Sequence, residues 1–387
     1  MLKSKYQFYE FFAGAGMVCS GLGRGWRCLL ANDHNPKKAA AYKANFGKRV
    51  FRLCDVADLT SDDLPDIADL AWASFPCQDV SLAGSGVGLN GTKSGTFWSF
   101  WGLMEALRSE GRSPKLIALE NVCGLLSSQH GQDFACLINA LFDGGYRPGV
   151  MVLDAARFVP QSRPRLFIIA LDEAFTASSS LTSRTPNPLL TTPALTQAIN
   201  TLPGALARRM LWWSAKPPTR RTKRLANIVE TDAEGWRDPA KTAALLAMMD
   251  DNQLRKLAVA QRESAERGKV LYGTLYRRGR PGPNGETRQR VEIRFDGIAG
   301  CLRTPAGGSS RQSLLEITPG RVRSRLMTPR EGARLMGLAE GFELPGTKTD
   351  AYQIIGDGVA TPVVRWLRRR LFEPILDSAF APSVGDP

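Results

Sequence analysis

Histidine is nearly absent from this chain: His34 and His130 are the only two in 387 residues. Cysteine is odd in number, seven, and has no paired spacing. Together these scarcities argue against a zinc site, so no metal is expected, and against a disulfide framework. They favour a reducing compartment. No uninterrupted apolar run is long enough to cross a bilayer. The stretch Met1–Phe8 carries neither an apolar signal core nor a small-residue cleavage site. A cytoplasmic protein with no membrane partner is the expectation. The composition has no disorder signature, and no internal repeat is visible.

What is there is charge, unevenly placed. The formal net charge is +14, and residues 203–330 hold 26 Lys+Arg against 12 Asp+Glu. Subtracted from the totals of 51 and 37, that leaves 25 of each elsewhere, so one region carries the whole excess. A solvated basic face is the plain alternative, but this concentration favours a polyanion partner. The length suits two domains, one neutral and chemical, the other basic and binding.

Strand and helix signals alternate through the first 170 residues. Strands are expected at Gln7–Phe12, Ala68–Ala73, Leu116–Leu119, Val150–Val152 and Leu166–Leu171, with helices at Pro36–Asn45, Thr96–Arg108 and Gln132–Leu141. That is the pattern of a doubly wound α/β sheet. Residues 172–205, rich in Ser, Thr and Pro, read as a connector. A helix is expected over Pro239–Arg262, short strands over 270–325, then helix Pro329–Leu335, strand Ala351–Ile355 and helix Thr361–Phe372.

The chemistry-bearing segments sit at strand ends. Pro76-Cys77-Gln78 follows the apolar run Asp69–Ala73 and opens a Gly/Ser-rich loop. A thiol there can be a nucleophile, and a packed core cysteine is the alternative. Phe12-Ala13-Gly14-Ala15-Gly16-Met17 ends the first strand, where glycines let a nucleotide-like ligand lie against the backbone. The dinucleotide pattern G-x-G-x-x-G fails at Cys19, which argues against nicotinamide or flavin. Asp33 and Asp55 end the next two strand-like segments and could accept from ribose hydroxyls and an adenine amino group. Glu120 directly follows an apolar strand. It could be a partly desolvated acid donating to a ring nitrogen, or a structural carboxylate paired to an arginine. Arg163 and Arg165 alternate in an extended segment, so they are expected on one face, suited to a phosphate and a carbonyl oxygen; a surface salt-bridge pair is the alternative. Trp212 and Trp213, beside Arg208, Arg209, Arg220 and Arg221, could stack on bases or fill the core.

Taken together, the segments resemble the DNA (cytosine-5)-methyltransferase family of prokaryotic type. Pro76-Cys77-Gln78, Glu120-Asn121-Val122 and Pro160-Gln161-Ser162-Arg163-Pro164-Arg165 occur in the family's order, as do Leu326–Gly337 and Tyr352–Val359. The resemblance covers residues 6 to about 171 and about 325 to 370. It implies a Rossmann-like S-adenosylmethionine-dependent catalytic domain, 1–171 and 346–387, with an inserted, smaller, basic target-recognition domain, 172–345. It implies that S-adenosylmethionine, leaving as S-adenosylhomocysteine, lies against Phe12, Ala13, Gly14, Gly16 and Met17. Asp33 would hold the ribose, Asp55 and Val56 the adenine, and Pro76, Asp357 and Val359 would border the site. Cys77 would be the nucleophile, Glu120 the ring partner, Arg165 the cytosine O2 partner and Arg163 an anchor beside it. Asp33 stands where the family usually has Glu, Asp357 where it has Asn, and Thr92 and Ser94 where it often has Asp and Arg.

The chemistry that the resemblance implies needs these residues. Cytosine C5 becomes nucleophilic when a thiolate adds at C6, and the base must leave the duplex stack for that to happen. Double-stranded DNA is therefore the expected partner. Gln78 and Ser81 beside the nucleophile, and Arg303, Thr304, Gly307, Gly308 and Arg311 in a Gly-rich loop, are its expected contacts; a solvated loop is the alternative for the latter. A monomer in a prokaryotic cytoplasm, at the nucleoid, is expected, with a cognate restriction or defence-system partner. An RNA cytosine methyltransferase and a catalytically silent DNA-binding module are the rivals.

Overall fold

The computed structural model describes residues 4–76, 95–219, 221–281, 286–303 and 311–379. The chain divides into two units. The first comprises Met1–Asp154, Pro164–Pro217 and Val363–Pro387; the second comprises Ala155–Arg163 and Pro218–Pro362.

The first unit is a seven-stranded sheet flanked by helices. Its strands are β1 (Tyr6–Phe11), β2 (Trp26–Asn32), β3 (Phe51–Arg52), β4 (Leu70–Ala73), β5 (Leu116–Val122), β6 (Tyr146–Asp154) and β7 (Pro164–Asp172), in the order β3-β2-β1-β4-β5-β7-β6. The central strands read as continuous apolar runs because both faces are covered: every residue of β4 is buried, and β5 is buried through Asn121. The helices α1 (Met17–Leu22), α2 (Pro36–Phe46), α3 (Thr96–Ser109) and α4 (Gln132–Asp143) fall between them. Asn35 caps α2 by accepting from the N–H groups of Lys37 and Lys38, with Pro36 at the first helical position. In α3, Phe97, Trp98, Phe100, Trp101 and Met104 repeat at helical spacing and are buried. The α/β doubly wound fold and the expected strands and helices of this part are therefore found.

Two arrangements differ from the sequence expectation. First, β7 runs antiparallel to both β5 and β6. Only residues 155–163 join β6 to β7, fewer than the dozen or so a parallel crossover needs. Second, residues 172–217 are not a bare connector. They form β8 (Thr182–Ser183), α5 (Pro193–Asn200), α6 (Gly204–Arg209) and β9 (Trp212–Trp213) within the first unit. Leu195, Ile199, Leu202 and Met210 join the core that holds Phe11 and Phe100. Trp213 is buried against Gly149, where a Cβ would collide with its ring. It is a core residue, not a base-stacking platform.

The second unit carries a four-stranded antiparallel sheet, β11-β10-β12-β13, from β10 (Leu271–Pro281), β11 (Thr287–Arg294), β12 (Ser313–Thr318) and β13 (Arg321–Leu326). The expected helix Pro239–Arg262 is two helices, α7 (Pro239–Leu246) and α8 (Asp251–Arg267). Asp250 starts α8 by accepting from Gln253 N–H, a cap that breaks the run. Met249, Leu257, Ala260, Leu275, Val291, Ile293, Leu315 and Ile317 form the core between α8 and the sheet. Beyond them lie α9 (Pro329–Leu335) and α10 (Lys348–Asp357). The strand expected at Ala351–Ile355 is part of α10: Thr347 and Asp350 form a capping box, and Ala351, Ile354 and Ile355 share a buried face. Arg325 and Glu331 form a fully buried ion pair, 2.6 Å from Nη2 to Oε1, and Glu331 also caps α9. The helix α11 (Thr361–Leu367) leads the chain back to the first unit, where a π-helical turn at Arg368–Phe372 precedes α12 (Glu373–Ala379).

Candidate active site

The strand order reverses between β1 and β4, and ligands of open α/β sheets bind at the carboxyl ends beside such a reversal. Phe12 leaves β1 with φ 55°, a conformation rare for a bulky residue, and Gly14 and Gly16 follow at φ 56° and 79°. Among the described residues, nothing approaches a Cβ built on Gly14 closer than 4.0 Å, so the backbone there is an open ledge; at Gly16 it would collide with Phe46. Asp33, at the end of β2, accepts from Gly14 N–H at 2.9 Å and from Asn35 N–H at 2.8 Å. It thereby ties the glycine ledge to the neighbouring strand end. Asp55 accepts from Ala57 N–H at 2.9 Å and caps the short turn that buries Val56. Pro76 is exposed at the exit of β4.

Beneath the ledge lies a residue the sequence reading gave no role. Glu10 of β1 is fully buried, and among the described residues neither carboxyl oxygen has a full hydrogen bond. Burial pushes its carboxyl up to about 8; the nearby N–H groups of Cys19 and Val18 offset this only in part. Cys19 and Cys28 share the pocket, and burial raises both thiols far above the ordinary range. The one available signal was a charge inside an apolar strand.

On the other side of β4, the β5–β7 register brings together two expected residues. Arg165 stands opposite Val122, one diagonal step from Glu120. Its Nε lies 3.2 Å from Glu120 Oε1, and both side chains are largely buried. Glu120 is thus a carboxylate paired to an arginine, and the arginine is the one expected at the cytosine carbonyl. Asn121, quoted in the motif without a role, donates to Phe75 O at 3.0 Å across β4. That bond fixes the backbone two residues before Cys77. Cys123 lies in the field of Arg165, but burial outweighs that pull and raises its thiol, so it is a poor nucleophile near neutral pH.

In the second unit, Arg163 immediately precedes β7. Its guanidinium is buried and donates to three backbone carbonyls: Leu302 at 2.9 Å, Gly356 at 2.9 Å and Gly358 at 2.7 Å. Asp357 ends α10 exposed, and Val359 is buried beside it. Arg303 is exposed. Arg311 stacks 5.3 Å above the Tyr352 ring and donates to Thr349 Oγ1 at 3.1 Å. Cys77, Gln78, Ser81, Thr92, Ser94, Arg220, Thr304, Gly307 and Gly308 lie outside the described residues.

Residues 6–373 match the family described as C-5 cytosine-specific DNA methylase. The chain belongs to that family. This DNA methylase is 25% identical over 375 residues to the type II methyltransferase M1.ScrFI of Lactococcus lactis subsp. cremoris, with 96% of this chain and 79% of that one covered. It is 24% identical to the type II methyltransferase M.HpaII of Haemophilus parainfluenzae, over 97% and 91% of the two chains. In fold it is similar to the S. pombe Dnmt2 methyltransferase, with TM-score 0.59, 17% identity, and 96% and 99% of the chains covered. It is also similar to a putative DNA modification methyltransferase encoded within an E. coli prophage, with TM-score 0.53, 18% identity, and 96% and 100% covered. The methylase is therefore an enzyme of the DNA cytosine-5 methyltransferase class on a Rossmann-like methyltransferase fold. Among its described residues, no helix is long and apolar enough to cross a membrane.

Proposed function

We propose that this methylase adds a methyl group to C5 of a cytosine flipped out of duplex DNA, through a covalent bond between Cys77 Sγ and cytosine C6. The observation that carries the reading is the Glu120–Arg165 pair, set beside a β4 exit that Asn121 holds through Phe75. The open ledge at Gly14, with Asp33 behind it, fits S-adenosylmethionine. Phe12, Ala13, Gly14, Gly16 and Met17 would hold it, with Asp33 at the ribose, Asp55 and Val56 at the adenine, and Pro76, Asp357 and Val359 at the border. When bound, it supplies an electrophilic methyl carbon.

The chain's own residues do the rest. The Cys77 thiolate adds to C6, and the electron pair it pushes into the ring makes C5 nucleophilic. Glu120 donates a proton to N3 and the Arg165 guanidinium donates to O2, where negative charge develops. A base then removes the C5 proton, and the same electron pair expels Cys77. The basic second unit holds the phosphates, with Gln78, Ser81, Arg303, Thr304, Gly307, Gly308 and Arg311 as DNA contacts. Arg163 keeps the Gly356 and Gly358 backbone in place. We place the enzyme, as a monomer at the nucleoid, in a restriction–modification or phage-defence system, with a cognate endonuclease or defence protein as its functional partner.

Incubation with duplex DNA and methyl-labelled cofactor is expected to yield 5-methylcytosine, and Cys77→Ser to yield none. DNA carrying 5-fluorocytosine should trap wild-type protein in a denaturation-resistant adduct. Full turnover by Cys77→Ser would sink the mechanism, and methylation of tRNA in place of DNA would sink the substrate.

A further inference from the structure

The hairpin of β10 and β11 extends past the sheet that holds it. β10 pairs with β12 only over Leu271–Leu275, yet pairs with β11 from Thr274 to Pro281. From Tyr276 onward, among the described residues, the two strands pair only with each other. They form a two-stranded ribbon whose outer residues, Arg277–Arg280 and Thr287–Gln289, are exposed. Near its base, Val291 N–H donates to Met248 O at 3.2 Å, which anchors the ribbon to the turn between α7 and α8.

The ribbon is lined with like charge. Arg278 lies directly opposite Arg290, and Arg280 directly opposite Arg288, so four guanidiniums share one face. Like charges placed directly opposite each other destabilise a sheet pair. Two carboxylates temper the repulsion. Glu292 at the base binds Arg280 and stands 3.9 Å from Arg278, and Glu286 takes Arg288 at 2.6 Å. The three paired arginines remain about half exposed, with 46–54% of each side chain accessible. A folded protein gains nothing in itself from four arginines on an exposed ribbon. A polyanion laid along that face would relieve the repulsion. A two-stranded ribbon also has the width that a DNA major groove admits.

We infer that the β10–β11 ribbon is a DNA-contacting arm of the second unit, with Arg278, Arg280, Arg288 and Arg290 on the phosphates beside the groove. This rests on the reading of duplex DNA as substrate and adds where the duplex is gripped. The test uses the full chain in three forms: wild type, Arg280→Gln/Arg288→Gln and Arg278→Gln/Arg290→Gln. Duplex affinity is followed by fluorescence anisotropy between about 50 and 200 mM salt. Each double variant should flatten the log–log salt slope by about 1 to 2, at roughly 0.9 for every phosphate no longer neutralised. Arg280→Lys/Arg288→Lys should keep the wild-type slope, because the charges remain. Cofactor affinity and thermal midpoint report that the variants are folded. Folded glutamine variants with the wild-type slope would overturn the arm while leaving the substrate reading intact. A wild-type chain that binds tRNA but not duplex DNA would overturn both.

Discussion

Glu10 sets the clearest expectation at the scale of a single residue. Its carboxyl is pushed from 4.5 up to about 8 by complete burial, so the folded state holds a proton that the unfolded chain releases. The stabilising difference is complete below about pH 4.5 and is lost as the pH climbs toward 8. Within that window the slope approaches about 1.4 kcal/mol per pH unit. Glu10→Gln keeps the shape and removes the titration. Urea unfolding at about pH 6 and about pH 8 should find the variant gaining on wild type at the higher pH, by on the order of 2 kcal/mol. Parallel pH profiles would show that the group is not held protonated. The same burial leaves Cys19 and Cys28, close to Glu10, as neutral thiols. Sequence could mark Asp33 and Glu120 because they end strands. It could not mark Glu10, whose importance comes from the layers stacked on both faces of β1.

At the scale of elements, the site depends on how β5 is bracketed. Antiparallel β7 supplies Arg165 to Glu120, and Asn121 reaches across β4 to Phe75. Asn121→Ala should lower kcat by roughly ten- to a hundredfold, because a misplacement of about 1 Å near the reacting atoms costs that much. Cofactor affinity should hold, and the unfolding free energy should fall by about 1 kcal/mol. Unchanged kcat, with only the stability loss, would reduce Asn121 to a structural tether. The motifs made Glu120, Arg163 and Arg165 legible, but not the partners that each one finds. Arg163 ends outside β7 with carbonyl partners that lie far along the chain, and no local pattern encodes those. Likewise, Ala351–Ile355 carries apolar residues suited to either strand or helix. The Thr347–Asp350 capping box just upstream is what decides for helix. The four strands of the second unit left only short strand-like runs in the sequence, since their pairing partners are brought together by the turns between them.

The whole molecule divides its charge as it divides its fold. The second unit's residues hold 27 Lys+Arg against 17 Asp+Glu, so most of the +14 resides there. Salt should therefore act on one substrate and not the other. Between about 50 and 200 mM salt, KM for duplex DNA should rise by two orders of magnitude or more, as expected for several phosphate contacts. KM for the cofactor should move less than about twofold, since the site proposed for it uses backbone and carboxylates rather than a cluster of cations. Equal sensitivity of both constants would refute that division. The charge excess was legible from sequence, but its boundary was not: residues 172–205 look like linker, and only the packing of Leu195, Ile199 and Leu202 into the first core assigns them.

The first unit also joins segments that lie far apart in sequence. Tyr6 of β1 donates its hydroxyl to Asp377 of α12 at 2.6 Å, Trp26 of β2 donates to Glu373 at 3.2 Å, and the Trp26 ring meets Phe372. A ribosome at about 5–20 residues per second needs roughly 20–70 s to travel from the first of these partners to the last. For that interval the opening strands emerge without the helix that covers them. The core face of Tyr6 and Trp26 is therefore closed late, once Phe372, Glu373 and Asp377 have been made.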